Sequence, residues 1–291
     1  MADLDKNSVN VDTDVDDKLN SLKKDKNNLD STSNTNTSAD SINMNATKED
    51  IKSTGSESNN SNNTQISENR LEKFFNFTFY KVDPKWRWLN EIGKDESSIE
   101  FLDLLKAANT KMIVKTYSTI GLRHDSEFMI WTISSSLENI QVFTSKMYST
   151  ILGKYVEPTN TFLSLTRKSI YSNRVKLGFE SDNVAPLKYV VVYPFIKSRE
   201  WYLLPLEKRK QMMDEHINVG RKYPAIRLNT TYSFGIGDQD FMLAFETDDL
   251  SMFQNLIMDL RETQVSRYIL KDLPMIPCVL KNMDEIIKNL G

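Results

Sequence analysis

After residue 70, hydrophobic and polar positions repeat with two distinct periods. Runs with every second residue apolar predict strands, and runs with apolar residues three and four apart predict helices. The predicted strands cover residues 72–81, 110–120, 127–134, 160–165, 188–195, 225–234, 240–246 and 275–280. The predicted helices cover residues 86–107, 137–152, 206–222 and 250–268.

The order of these elements is β-α-β-β-α-β, and it occurs twice. That order is typical of the ferredoxin-like unit, an antiparallel sheet with helices on one face. Two such units can pack through their uncovered faces or close into a barrel, which hides their apolar surface. The prediction is an α+β fold of the dimeric α+β barrel type, with an N-terminal repeat at residues 70–180 and a C-terminal repeat at residues 181–291.

Residues 1–69 lack this pattern. They are rich in Asn, Ser, Asp, Thr and Lys and contain no aromatic residue. Such a composition buries too little apolar surface to offset the loss of chain entropy, which predicts a disordered tail. The tail has no apolar core of a signal peptide, and its acidic residues argue against a transit peptide. Since no run approaches the length needed to span a bilayer, we expect a cytoplasmic protein without membrane insertion.

Charge and cysteine content exclude several classes of function. The net charge of -3 gives no basic surface for binding nucleic acid. The single cysteine, Cys278, excludes an intramolecular disulfide framework, and we interpret it as a small buried apolar residue. One cysteine and two distant histidines, His124 and His216, do not provide a zinc site of ordinary ligand spacing.

One of these histidines lies on the apolar stripe of the third predicted helix. Met212, Met213, Val219 and Gly220 lie three and four residues either side of His216, so its side chain is predicted to point inward. Two interpretations fit this position. One is a core histidine with a single hydrogen bond, and the other is a proximal ligand of haem iron. The pattern alone does not separate them.

The preceding strand adds a phenol and a cation. By alternation, Tyr193, Phe195 and Lys197 fall on one face if the chain stays extended past Pro194. Taken singly, such a tyrosine is more often a core residue and such a lysine is more often solvated. Together with His216, their placement makes a shared cavity between strand and helix possible.

The segment from Tyr193 to Tyr223 resembles the coproheme decarboxylase branch of the chlorite dismutase family. It opens with Tyr193-Pro194-Phe195-Ile196-Lys197 and contains the helix with His216. Further similar segments are residues 121–123, 128–131, 233–246 and 260–263. The resemblance covers nearly all of residues 73–280 in order. It implies two ferredoxin-like repeats with the porphyrin in the C-terminal one, and pentameric rings in many members.

Roles for six residues follow from this resemblance. His216 resembles the proximal iron ligand, Tyr193 the tyrosine that becomes a radical, and Lys197 a basic residue near a propionate. Arg261 and Ser266 match polar positions around the porphyrin edge. Counting from His216, Asn229 stands where chlorite dismutases have a distal arginine, which argues against chlorite as a substrate and leaves a neutral donor.

The resemblance implies that the chain is a coproheme decarboxylase. Its substrate would be iron coproporphyrin III, two propionates of which hydrogen peroxide oxidises to vinyl groups through a tyrosyl radical, giving haem b. The implied assembly is a homopentamer. One alternative is a chlorite dismutase-like or peroxidase-like haem enzyme. Another is a non-catalytic haem-binding or carrier protein, which would not need Tyr193.

Overall fold

The computed structural model describes residues 72–171 and 186–291. The predicted tail and the predicted boundary between the repeats lie outside these ranges. Within them the strands are β1 Phe74–Val82, β2 Ile113–Ser118, β3 Phe128–Ser134, β4 Val156–Leu165, β5 Tyr189–Lys197, β6 Arg227–Tyr232, β7 Phe241–Thr247, β8 Ile269–Lys271 and β9 Ile276–Leu280. The α-helices are α1 Glu91–Asn109, α2 Leu137–Ser149, α3 Arg199–Leu203, α4 Leu206–Gly220, α5 Leu250–Arg261 and α6 Met283–Lys288.

The strands form one antiparallel sheet in the order β7-β6-β4-β1-β3-β2-β9-β5-β8. A further pairing between β5 and β7 joins its two ends, so that eight strands form a closed ring and β8 extends the end of β5. The two predicted repeats are present as β1-α1-β2-β3-α2-β4 and β5-α4-β6-β7-α5-β9. The α+β barrel prediction is therefore confirmed.

Local chemistry explains where the elements depart from the predicted bounds. The first helix begins at Glu91, five residues later than predicted, because the Asn90 side chain accepts a hydrogen bond from the Gly93 amide at 2.8 Å and caps it. The fourth predicted helix ends at Arg261 instead of residue 268, and a separate 3-10 turn follows at Gln264–Tyr268. The sequence patterns missed α3, α6 and the short strand β8.

The inside of the ring is an apolar core. Phe77 and Trp131 lie there with ring centroids 5.0 Å apart, and Val190 and Val192 reach it from β5. Cys278 is also in this core and fully buried, as predicted. Because alternate residues of each strand point inward, the intervening residues must be covered from outside.

The helices cover the outside of the ring unequally. On the first repeat, α1 and α2 pack on the strands together with α6 from the end of the chain. These elements form an outer core of sixteen buried residues. In the second repeat the corresponding cluster has only five, of which Phe253 and Leu256 come from α5. The outer face of the second repeat is thus packed by α5, while α4 contributes no buried residue to it. Among the described residues, no helix has the length and apolar character needed to cross a membrane.

Candidate functional site

Strand β5 supplies two of the predicted site residues on the outer face of the ring. Val190 and Val192 point into the barrel, whereas Val191 and Tyr193 pack in the outer cluster with Phe245. This alternation places Tyr193 on the side of the sheet that the helices of the second repeat cover, as predicted.

The strand continues past its proline. Pro194 is opposite Met242 of β7, and pairing with β9 has already ended at Val192. The Phe195 carbonyl accepts from the Asp240 amide at 3.1 Å, on the β7 side, so the Pro194 nitrogen points the other way. A proline is tolerated there because no ladder hydrogen bond is lost. The extended chain then carries Lys197 to the end of the same face, after a bulge at Ile196.

Helix α4 presents His216 to this face. Met212, Met213, His216 and Val219 are half-buried, whereas the intervening Glu215 is exposed, so the stripe predicted from the sequence is present. All fifteen residues of α4 are described, and none of them is buried. The helix therefore meets this face through half-buried side chains only, with the Met213 sulfur 3.9 Å from the Lys197 ammonium of β5.

The imidazole of His216 is neutral and has no hydrogen-bond partner in the part of the chain that the structure describes. Burial, and then the positive charge of Lys197, lower its pKa to about 4. Its Nδ1 atom is buried without a partner among the described residues. In the described ranges no three His, Cys, Asp or Glu side chains cluster to hold a metal ion. This imidazole therefore suits a metal that brings its other ligands with it, as a metalloporphyrin does.

Tyr193 is a protonated phenol in an apolar setting. Its side chain is 3% exposed, and its ring stacks on Phe245 with centroids 5.9 Å apart. Burial, and then the negative charge of Asp272, raise the pKa of Tyr193, and Arg261 opposes them. Its hydroxyl makes no hydrogen bond to the described residues, so both its proton and its lone pairs are available to a ligand.

Lys197 lies at the other end of the site. Its ammonium nitrogen is 3.5 Å from the centre of the Trp201 ring and 3.9 Å from the Met213 sulfur. Burial, and then the positive charge of Arg209, lower the pKa of Lys197 to about 7, against the opposing effect of Asp240. Four residues of extended chain separate Tyr193 from Lys197, which is about 13 Å. Tyr193 therefore extends from one end of the site and Lys197 from the other.

Arg209 is a site residue that the sequence patterns did not single out. It precedes His216 by seven residues, which is two helical turns, so both lie on one stripe of α4. One guanidinium nitrogen, Nη1, donates to the Tyr171 hydroxyl at 3.2 Å. Extending the apolar stripe from His216 toward the helix start would have found it.

Two residues predicted at the porphyrin edge have partners of their own. A nitrogen of Arg261 lies 3.7 Å from a carboxylate oxygen of Asp272, and the Arg261 side chain remains 64% exposed. The Ser266 hydroxyl donates to the Thr263 carbonyl at 2.7 Å, so its hydrogen is already engaged. Arg261 is coupled electrostatically to Tyr193, whereas Ser266 has no described contact with Tyr193, Lys197 or His216.

Asn229 is not part of this site, and the prediction of a distal role for it is wrong. It is opposite Ala244, which lies inside the barrel, and its amide donates to Glu246 at 2.8 Å. The neighbouring Leu228 is opposite Phe245 on the outer face and is 42% exposed. Because strand residues alternate between faces, a count that is off by one residue exchanges inside for outside. Leu228, Thr230 and Tyr232 are the β6 residues on the outer face, which carries the site.

Because Asn229 and Leu228 point to opposite faces of β6, substitutions at these two positions should have different effects. Asn229→Ala removes a donor to the buried Glu246 carboxylate and should lower the free energy of unfolding by about 1–3 kcal/mol. It should change porphyrin affinity by no more than about twofold. Leu228→Asp should instead weaken porphyrin binding. Urea unfolding and porphyrin titration of both variants provide the check, and porphyrin loss in Asn229→Ala without loss of stability would contradict the assignment of faces.

The described side chains fit an iron porphyrin with carboxylate arms. A neutral imidazole with a free nitrogen faces a largely apolar sheet surface, and cations lie at its ends. An imidazole ligand, an apolar surround and peripheral cations match the iron, the macrocycle and the propionates respectively.

Comparisons with known proteins agree with this fit. A model of the chlorite dismutase family matches residues 94–281. The coproheme decarboxylase of Mycolicibacterium smegmatis is 31% identical over 227 residues, covering 76% of this chain and 96% of that protein. The chlorite dismutase of Candidatus Nitrospira defluvii in complex with imidazole has the same fold, with a TM-score of 0.69, 24% identity, and coverage of 74% of this chain and 94% of that one. A double mutant of that enzyme has a TM-score of 0.68, with 25% identity and the same coverage of both chains. From the matched length and this identity, the chain belongs to the chlorite dismutase family.

Proposed function

We propose that this protein is a coproheme decarboxylase that converts iron coproporphyrin III into haem b with hydrogen peroxide as oxidant. The observation that carries the proposal is the buried phenol of Tyr193, in the same site as the imidazole of His216; neither group has a hydrogen bond to the described residues. A haem carrier would need the imidazole only. The similarity to the coproheme decarboxylase of Mycolicibacterium smegmatis supports the same reaction.

The reaction removes one carboxyl group at a time. Each propionate anion, with one hydrogen peroxide and one proton, gives a vinyl group, carbon dioxide and two molecules of water. The propionate side chain loses two electrons and peroxide gains them, so each of the two steps uses one peroxide. The bound iron porphyrin supplies the redox chemistry and is also the substrate.

His216 is proposed to hold the iron. Its neutral state near pH 7 leaves a nitrogen lone pair available, and no competing hydrogen bond from the described residues has to be broken. Its helix has no fully buried residue. Proximal histidines of haem proteins bind iron in this way.

Tyr193 is proposed to pass the oxidising equivalent to the propionate. Its raised pKa keeps the phenol protonated, so an electron and a proton leave together and the resulting neutral radical needs no charge compensation in an apolar setting. The radical then takes a hydrogen atom from the carbon chain of the adjacent propionate, which accounts for the first electron. As carbon dioxide leaves, the second electron would pass to the bound iron porphyrin, which would hold the remaining oxidising equivalent of peroxide. Arg261, coupled to the same phenol, is proposed to orient that propionate's carboxylate. Ser266 remains a candidate contact from the resemblance alone.

Lys197 is proposed to hold a different carboxylate from the one beside Tyr193. Their Cα atoms are about 13 Å apart along the strand, so the two side chains start from opposite ends of the site. Lys197 therefore fixes the orientation of the ring in the site, so that the reacting propionate meets the phenol.

The two alternative functions predict different products. On the site face of β6, Leu228 and Thr230 provide no cation like the distal arginine of chlorite dismutases, so chlorite turnover is not expected. A carrier would return the porphyrin unchanged. When purified protein receives iron coproporphyrin III and then peroxide, we expect haem b; oxygen release from chlorite, or unchanged porphyrin, would favour an alternative. We propose cytoplasmic homopentamers, on the basis of the family resemblance.

Lys197 should make porphyrin binding depend on pH. With a pKa of about 7 before binding, Lys197 is charged below pH 7 and loses its charge above it, whereas a bound carboxylate favours the charged form. The affinity for metal-free coproporphyrin III should therefore be constant from pH 6 to 7 and fall above pH 7 by up to about tenfold per pH unit. Fluorescence titration measures this affinity. Because the porphyrin contains no iron, hydroxide binding to a metal does not contribute to the pH dependence.

Two variants test whether Lys197 causes this dependence. Lys197→Met should bind more weakly at pH 6 and show a flat profile between pH 6 and 9. Lys208→Met, a change at an exposed lysine of helix α4, should keep the wild-type profile. Equal slopes in all three proteins would exclude Lys197 as the titrating group.

A further inference from the structure

Two cations of the site, Lys197 and Arg209, act on one another electrostatically and have no ion pair with the described residues. Lys197 is 8% exposed, Arg209 is half-buried, and the positive charge of Arg209 acts on Lys197. Neither forms a salt bridge with a carboxylate among the described residues. Another half-buried arginine of this chain, Arg123, has its acid, Asp125, at 2.7 Å. The uncompensated pair marks a place for a negatively charged ligand.

Asp240, the described acid whose charge acts on Lys197, does not neutralise this pair. One oxygen of Asp240 accepts hydrogen bonds from the Tyr202 hydroxyl at 2.7 Å and from the Lys197 amide at 2.8 Å. Asp240 favours the charged form of Lys197, but burial and Arg209 outweigh it. An additional anion would therefore stabilise the charged form of Lys197.

Arg209 has N–H groups that make no hydrogen bond to the described residues. Its Nη1 donates to the Tyr171 hydroxyl, and its Nε is buried without a partner in the described ranges. A guanidinium presents its N–H groups in a planar fork that matches the two oxygens of a carboxylate. The Tyr171 hydroxyl accepts from Arg209 and keeps its own hydrogen for a ligand.

The position of Arg209 matches the edge of a ring centred on His216. Seven residues of helix separate them, which is about 10.5 Å along the axis. Met213 lies between them on the same stripe, and its sulfur contacts the Lys197 ammonium. A flat macrocycle whose iron lies at His216 would thus have its rim near Arg209 and Lys197.

We propose that Arg209 and Lys197 together bind one carboxylate of the porphyrin, and that this carboxylate is not the one beside Tyr193. Arg209 supplies the planar fork, Lys197 supplies a second charge held over Trp201, and Tyr171 completes the receptor with its hydroxyl. This inference rests on the proposed function, because it takes a carboxylated porphyrin as the ligand. It makes Arg209 a residue that selects porphyrins with an anionic arm at this edge.

The test compares an acid with its neutral ester. Dissociation constants of metal-free coproporphyrin III and of its tetramethyl ester are measured by fluorescence in one detergent-containing buffer, so that iron coordination plays no part. Arg209→Gln should weaken binding of the acid by about 10- to 100-fold, the range of a charge-assisted hydrogen bond. Binding of the ester should change by no more than about threefold.

Control variants exclude a loss of folding as the cause. Arg221→Gln, at the exposed end of the same helix, should bind both porphyrins like the wild type. Arg209→Lys keeps the charge without the fork and should lose less affinity for the acid than Arg209→Gln. An equal loss for acid and ester, or no loss for either, would overturn the role of Arg209. A wild-type protein that binds neither porphyrin would reject the proposed function itself.

Discussion

His216→Ala is expected to weaken binding of iron coproporphyrin III by at least about 100-fold, because even outer partners of a metal ligand contribute 10- to 100-fold to affinity. Binding of metal-free coproporphyrin III should change by no more than about threefold. The difference arises because only the iron complex uses the imidazole. A Soret titration of both porphyrins with both proteins measures it.

The same substitution should leave the fold intact. His216 is half-buried, makes no hydrogen bond to the described residues and lies on a helix without a buried residue. Alanine favours helix, so the free energy of unfolding should change by less than about 1 kcal/mol. Gln211→Ala, at an exposed position of α4, is the matched control. If His216→Ala kept wild-type affinity and spectrum with the iron porphyrin, His216 would not be the ligand.

Tyr193→Phe is expected to stop decarboxylation while the porphyrin still binds. The phenyl ring keeps the stacking on Phe245, and the lost hydroxyl has no hydrogen bond to the described residues, so stability should change by less than about 1 kcal/mol. The rate of carboxyl loss should fall by at least about 100-fold, the lower range for removing a proton-transferring group. Mass spectrometry of the porphyrin after peroxide addition measures the rate.

A nearby tyrosine provides the control for this result. Tyr189 lies on the same strand and face, four residues before Tyr193 and farther from Lys197. Tyr189→Phe should decarboxylate at a rate close to that of the wild type. If both variants retained activity, the oxidising equivalent would reach the propionate without Tyr193, and its proposed role would be excluded.

Local periodicity predicted the parts of the site that lie within single elements. The alternation of β5 and the helical stripe around His216 each depend on a few residues, so Tyr193 and His216 could be placed on the correct faces from the sequence. Asn229 was misplaced because its assignment came from counting along the chain, through a turn, from His216. Such a count fixes a sequence position, whereas the face of a strand depends on its register with neighbours.

Contacts between distant segments could not be predicted in this way. The closure of the ring by β5 and β7, and the pairing of β8 with the end of β5, are interactions between distant parts of the sequence. The same holds for Tyr171, which contacts Arg209 from 38 positions away. From the sequence, a lysine at a strand end is expected to be solvated. The fold instead buries Lys197 against Trp201.

The most direct test of the proposed function is the porphyrin mass after a single addition of peroxide. Wild-type protein loaded with one equivalent of iron coproporphyrin III should, with two equivalents of peroxide, yield haem b through an intermediate that has lost one carboxyl group. The same complex without peroxide should keep all four carboxyl groups. A loaded complex in which peroxide leaves the porphyrin mass unchanged, or only degrades the ring, would contradict the proposed function.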